Sequence, residues 1–329
     1  MKRLKIFTWG SSARYFLYFS RLPHDIYLPV NEDRSAGYEG KGGKLRLREN
    51  VHEVPVECIS ELELDCVIYQ DPRQYLADQH EIFSAEQLKL PKIYLEHNPP
   101  FNHPVEEPHW VNDPNVLIVH TTAFNELMWN SRLTPTRVVE PGVHVTQGAY
   151  SGEIERGVML GAGSSSCHRA YGEDIFGKVR PYVALHKVEP DLGLQPDGDV
   201  ARDDLRSLLS RYRFFFDPLR WGAMRVEMLE AMACGMPVVA LAVSESVTVV
   251  TSGINGFLAT DYRQLIPYMR LLLEDRDLAR EMGRQALRVA EERFNLQRFI
   301  SEWNEVLAEV CVLARRPIIN NLFEDRSAV

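Results

Sequence analysis

Residues 228–242, Met-Leu-Glu-Ala-Met-Ala-Cys-Gly-Met-Pro-Val-Val-Ala-Leu-Ala, constrain the fold more than any other stretch of this chain. Glu230 stands in a short run of good helix formers. Gly235 can take the left-handed conformation that ends a helix, and Pro237 prevents it from resuming. The unbroken apolar run Val238–Val243 reads as a strand buried on both faces. A helix feeding a parallel strand, with a carboxylate near the helix start, suits the hydroxyls of a nucleotide's ribose. The same spacing fits a core helix whose Glu230 is merely solvated.

Downstream, Thr251-Ser252-Gly253-Ile254-Asn255-Gly256-Phe257-Leu258 spells a tight turn with positive φ that re-enters the sheet at Phe257. A helical tail over Asp261–Phe294 carries Leu265, Met269, Leu272, Leu273, Leu278, Met282, Leu287 and Ala290. Asp275-Arg276-Asp277 looks like a metal-binding Asp-x-Asp but is better read as a helix start. Upstream, Leu4–Trp9, Asp25–Val30, Leu64–Gln70, Lys92–Glu96 and Asn115–His120 read as strands. Helices are expected at Ala13–Ser20, Glu81–Lys89 and Thr122–Asn130, and Asn31–Asn50 is expected to be a long surface loop. A short strand is expected within Thr136–Val145, and two more at Gly157–Leu160 and Tyr212–Phe216. This alternation predicts open parallel sheets with ligands at the carboxyl ends of the strands.

The segment from Leu229 to Val239 has the form Leu-Glu-Ala-Met-Ala-x-Gly-x-Pro-Val-Val, followed by an Asn-Gly turn and helices. It resembles the C-terminal half of the retaining glycosyltransferases of family 4 (glycosyl transferases group 1). The close match covers residues 220–300, and the remainder agrees in general plan. The resemblance implies an α/β GT-B fold, two Rossmann-like doubly wound domains facing across a cleft. The nucleotide-sugar donor would bind the C-terminal domain and a hydroxyl acceptor mostly the N-terminal one. The expected divisions are 1–145, 146–305, and a helix and tail at 306–329 that crosses back to the first domain; the crossing helix is read at Phe299–Ala314 and a frayed end at Leu322–Val329.

The same resemblance assigns roles. Glu230 matches the second acid of the family's Glu-x7-Glu motif, which holds the donor ribose through charge-assisted bonds. The first acid falls on Gly222, a departure that leaves Glu227, one turn before Glu230, as a substitute for sugar contact. Backbone amides at Met224, Arg225 and Val226 would cradle the diphosphate, with the Arg225 side chain assisting. Arg169 and Lys178 best match the basic pair that neutralises the leaving diphosphate, at and beyond the end of Gly161–Arg169. His97, directly after a strand, resembles a His that contacts the donor sugar. Gly10 stands where the family carries a Gly-rich loop, here reduced to Trp9-Gly10-Ser11-Ser12. For each cation the plain alternative is a solvated helix-flanking charge, and for His97 a structural imidazole.

The expected activity is therefore transfer of a sugar from a nucleoside-diphosphate donor to a hydroxyl, with retention at the anomeric carbon, no metal and no further cofactor. Glycan or glycolipid assembly is its family-level setting. The rivals are a nucleotide-sugar epimerase on the same fold and a non-catalytic nucleotide-sugar-binding relative, the latter favoured by Gly222.

Other features bound the reading. A length of 329 residues suits two domains. The five cysteines, Cys58, Cys66, Cys167, Cys234 and Cys311, are never spaced Cys-x-x-Cys, which suits a reducing compartment rather than a disulfide framework. His97, His103 and His109 recur every six residues, a spacing that fits neither a helix face nor a zinc pattern. A net charge of −9 argues against nucleic acid as a partner. Met1–Trp9 is too short for a signal peptide and runs into a strand, so a cytoplasmic location is expected. Lys2, Arg3, Arg14, Arg21, Lys41, Lys44, Arg46 and Arg48 cluster early, which motivates an expected peripheral contact with the inner membrane face; surface solubility explains them equally well.

Overall fold

The computed structural model describes residues 2–10, 13–42, 47–146, 148–161, 168–188 and 205–313. Ser11, Ser12, Lys44, Arg46, residues 162–167 with Cys167, Ala314 and residues 322–329 lie outside the described residues.

The described strands form two parallel sheets. The first is built from β1 (Lys5–Thr8), β2 (Asp25–Val30), β3 (Val51–Pro55), β4 (Cys66–Tyr69), β5 (Lys92–Glu96), β6 (Val116–His120) and β7 (Thr136–Val138), in the order β3-β2-β1-β4-β5-β6-β7. Between them lie helices α1 (Ala13–Phe19), α2 (Gln79–Ile82) and α3 (Ala123–Met128). The second sheet has the order β12-β11-β10-β8-β9, from β8 (Ile154–Leu160), β9 (Leu185–Val188), β10 (Tyr212–Asp217), β11 (Val238–Leu241) and β12 (Gly256–Ala259). Its helices are α4 (Glu173–Val179), α5 (Leu205–Leu209), α6 (Val226–Ala233), α7 (Ser246–Val249), α8 (Tyr262–Glu274) and α9 (Arg276–Arg293), followed by α10 (Leu296–Leu313).

Strands β4, β6, β10 and β11 are buried along their whole length, as strands covered on both faces must be. Gly235 ends α6 at φ +87°, and the Met236 amide closes onto the Ala231 carbonyl at 3.0 Å before Pro237 starts the strand. Asp275 does start a helix: its carboxylate accepts from the Leu278 amide at 2.9 Å and splits the helical tail into α8 and α9. In the turn before β12, Asn255 accepts from the Thr251 amide at 2.7 Å and donates to the Val249 carbonyl at 3.0 Å.

Two expectations need correction. Instead of a helix over Glu81–Lys89, α2 stops at Ile82 because Phe83 turns extended (φ −97°, ψ 144°). There its ring packs edge-on against Phe7 at 5.0 Å, so aromatic burial overrides local helix propensity. Strand β3, directly after Asn50, was not anticipated, and the loop before it is not wholly superficial: Tyr38 is buried among Trp9, Val54 and their neighbours.

Helix α10 follows the second sheet in the chain but packs on the first. Trp303 is fully buried, donates from Nε1 to the Tyr15 hydroxyl at 3.0 Å and meets the Phe19 ring at 5.0 Å. Asn304 reaches His24 at 3.0 Å, and Glu309 pairs with Arg137 at 2.8 Å. One apolar core runs from Ile6 and Phe19 through Phe299 and Trp303 to Val158, Phe215 and Met228. No helix among the described residues is long and apolar enough to cross a membrane.

Candidate functional site

In an open α/β sheet, ligands bind beyond the strand carboxyl ends at the point where strand order reverses. In the first sheet that point is β1 beside β4. Gln70, just after β4, donates from Nε2 to Thr8 Oγ1 at 2.9 Å and to the Trp9 carbonyl at 2.6 Å. A carbonyl can only accept, so these bonds orient the amide and aim Gln70 Oε1 at His97 Nε2, 2.9 Å away. His97 Nε2 must then carry the hydrogen. The ring is desolvated, which lowers its pKa to about 4 and keeps it neutral, with an edge-on contact to Tyr15 at 4.9 Å. The His97 carbonyl accepts from Thr121 Oγ1 at 3.1 Å and Asn125 Nδ2 at 2.6 Å. Gly10 follows Trp9, so Gln70 ties Gly10 and His97 into one crevice.

His103 and His109 point elsewhere. His103 Nδ1 accepts from the Glu106 amide at 2.9 Å, and buried His109 lies 3.4 Å from Glu96. Among the described residues, no group of three His, Cys, Asp or Glu side chains could hold a metal ion.

In the second sheet the reversal lies between β8 and β10, and α6 begins above it. Arg225, expected to assist a diphosphate, turns into the domain: its Nη2 donates to the Leu160 carbonyl at 3.0 Å and its Nη1 lies 3.6 Å from Asp217 Oδ1. Burial pushes the Asp217 carboxyl up while Arg225 pulls it back. The guanidinium also lies 5.7 Å from the centre of the Tyr171 ring. Arg225 thus clamps the start of α6 to the end of β8. Val226, buried, and Glu227, half-buried, form the first turn of α6, where the backbone amides of a helix start favour an anion.

Arg169 and Lys178 surround Asp174, at 3.5 Å and 3.4 Å. Their anchor is held mainly by Arg220, whose two terminal nitrogens reach the Asp174 oxygens at 2.6 Å and 2.8 Å. Arg220 holds that carboxyl far below the usual carboxylate range. Arg169 and Lys178 are both exposed. Arg220 also donates to the Arg169 carbonyl at 2.6 Å, which makes it the organising cation of this cluster. Sequence reasoning missed it, although its place in the short loop between β10 and α6 was the signal available.

The two crevices face each other. Trp221 donates from Nε1 to the Pro100 carbonyl at 2.9 Å and packs edge-on against Phe124 at 5.4 Å. Glu245 accepts from the Phe124 amide at 3.1 Å. Glu230 itself is fully buried, and its Oε1 accepts from the Tyr18 hydroxyl at 2.6 Å, with Arg14 Nη1 at 3.6 Å. Both partners belong to α1 of the first sheet. The solvated alternative for Glu230 is therefore excluded.

Residues 175–275 match the family described as Glycosyl transferases group 1. No curated protein matches the chain. Among solved structures it is similar to sucrose-phosphate synthase from Thermosynechococcus elongatus, with 11% identity, a TM-score of 0.66, and 94% of this chain and 100% of that one covered. It is also similar to Anabaena Alr3699/HepE in complex with UDP and glucose, with 14% identity, a TM-score of 0.63, and 93% and 100% covered. A glycosyltransferase from Rickettsia africae ESF-5 gives 12% identity, a TM-score of 0.61, and 94% and 99% covered. At these identities the likeness establishes the fold: two parallel-sheet α/β units in the GT-B arrangement.

Proposed function

We propose that this chain is a retaining, metal-independent glycosyltransferase similar to family 4, moving a sugar from a nucleoside-diphosphate donor to a hydroxyl acceptor in glycan or glycolipid assembly. The observation that carries the reading is the first turn of α6. It lies at the strand-order reversal of the second sheet and leads into Glu230, which meets Tyr18 of α1 from the first sheet. The HepE complex with UDP and glucose adds support by fold alone.

In this reading Glu230 takes the ribose hydroxyls and the amides of Val226 and Glu227 take the diphosphate. Neutral His97, with Nε2 committed to Gln70, offers Nδ1 only as an acceptor, so it can take the O–H of a sugar hydroxyl but cannot itself donate a proton. Charge built up on the leaving phosphate is met by the helix start, with the Arg220, Arg169 and Lys178 cluster as the candidate source of cations. Contact between the two units at Trp221, Pro100 and Phe124 excludes water during transfer. The acceptor hydroxyl would enter from the side of the first sheet. Contact with a membrane face through the early basic cluster and a cytoplasmic site of action belong to the same proposal.

Gly222 favours a second reading, a binding relative without turnover, because the position offers no carboxylate to the donor sugar. A thermal-shift screen against UDP-, GDP-, ADP- and TDP-sugars, repeated with Glu230→Ala, tests the donor site. A base-selective rise that the substitution abolishes supports it. Glycoside formation then separates the transferase from the binder, and donor isomerisation would reveal an epimerase.

A further inference from the structure

The ribose carboxylate of the proposed donor site is already engaged by a side chain of the other unit. Glu230 is fully buried, and a buried carboxylate is tolerated only when it is paired. Its Oε1 takes the Tyr18 hydroxyl at 2.6 Å, and Arg14 stands 3.6 Å away with its side chain only 17% exposed. Tyr18 and Arg14 sit one turn apart on α1, so one helix face delivers both.

That helix is fixed through an adjoining face. Tyr15 and Phe19 pack against Phe299 and Trp303 of α10, with the Trp303 Nε1–Tyr15 bond at 3.0 Å. Tyr18 therefore cannot leave Glu230 by a local swing of α1 alone. Its departure requires a different rotamer of a ring that is 4% exposed, or separation of α1 from α6.

A phenol and a ribose hydroxyl present the same donor to the same carboxylate oxygen. From this we propose that Tyr18 is a gate on the donor site: it occupies Glu230 when the site is empty and yields to the ribose of an entering nucleotide. This inference rests on the assignment of Glu230 to the donor ribose. It makes donor affinity depend on the fraction of molecules in which Tyr18 has released the carboxylate. It also couples donor entry to the α1–α6 contact between the two units. The specificity consequence is that a nucleotide without ribose hydroxyls gains nothing from displacing the phenol.

The test is calorimetric titration of the full chain with UDP, GDP, ADP and TDP in turn, using the native protein, Tyr18→Phe and Glu230→Gln. Tyr18→Phe keeps the buried ring and removes only the competing hydroxyl. The gate predicts that Tyr18→Phe binds the preferred diphosphate about tenfold more tightly, as expected for losing one charge-assisted competitor. The 2′,3′-dideoxy form of the same nucleotide should show no such gain. Unchanged or weaker binding by Tyr18→Phe, while Glu230→Gln still weakens it, would overturn the gate and leave the donor site standing. Binding that Glu230→Gln leaves intact would overturn the site assignment and the gate with it. If the native chain binds no diphosphate, binding by Tyr18→Phe supports the gate, and silence in both variants overturns both ideas.

Discussion

The Arg225 guanidinium donates to the Leu160 carbonyl at 3.0 Å, binding the start of α6 to the carboxyl end of β8. Its second role is to sit 3.6 Å from the buried Asp217 carboxylate. Both contacts lie at the strand-order reversal of the second sheet, so the residue positions the helix whose first turn is proposed to meet the diphosphate. Arg225→Ala should leave Asp217 buried without its cation and cost about 3–5 kcal/mol of stability. Urea unfolding checks this. An unchanged midpoint with weakened nucleotide binding would instead return Arg225 to direct donor contact.

The seating of α6 also depends on a close approach behind it. A Cβ on Gly283 of α9 would lie 1.9 Å from the Gly235 carbonyl oxygen, which is backbone and cannot swing aside. Gly283→Ala should therefore destabilise the fold by about 1–3 kcal/mol. Gly177 in α4 offers the control, since nothing lies within 4 Å of its added Cβ. Gly177→Ala should be neutral or stabilise by roughly 0.5–1 kcal/mol through helix propensity. Equal midpoints for the two variants would remove the packing argument.

Acid should weaken this protein through its buried histidines. Desolvation lowers His97 to about 4 and His120 to about 3, against an ordinary value of 6.5. Below pH 6.5 the unfolded chain takes up protons that the folded chain refuses. Their stabilisation is thus complete above pH 6.5 and is lost as pH falls from there toward 4 and 3. Glu96 works in the opposite sense, because burial raises its pKa and favours the folded state only at the acid end. Unfolding midpoints measured at pH 7.5 and pH 5 should drop at the lower pH, and His97→Asn should shrink the drop. A flat profile across that interval would contradict the assignment of neutral imidazoles.

The segment around Glu230 was readable because local chemistry decides it: Gly235 alone tolerates φ +87°, Pro237 blocks continuation, and Val238–Leu241 has no polar residue to face water. Asp275 was readable as a cap for the same local reason. What escaped was set by distant partners. The helix expected over Glu81–Lys89 ended early because Phe83 finds Phe7, a residue 76 positions earlier in the chain. Arg225 carries a charge that sequence reads as surface, yet Leu160 and Asp217 draw it inward. Nothing near Glu230 announces that Tyr18, 212 residues away, will hold its carboxylate. Arg220 escaped because its importance comes from Asp174, 46 residues earlier on α4.

The contact between the two units has its own signature. Trp221 reaches the Pro100 carbonyl through one hydrogen bond, at 2.9 Å, while its ring meets Phe124. Trp221→Phe retains the aromatic contact and deletes the donor, which should leave stability within about 1 kcal/mol and lower the rate of glycoside formation more than donor affinity. Steady-state kinetics with the identified donor would show this as a fall in kcat at near-constant KM. A rise in KM alone would place Trp221 in ground-state binding instead.

The central claim is that the donor nucleotide lies at the first turn of α6, against Glu230. Hydrogen–deuterium exchange, with and without the nucleotide diphosphate that stabilises the protein, tests it most directly. New protection should concentrate at the amides of residues 224–230, with a smaller change on α1 as Tyr18 is displaced. Protection confined to other segments, or none at all in the presence of a nucleotide that demonstrably binds, would contradict it.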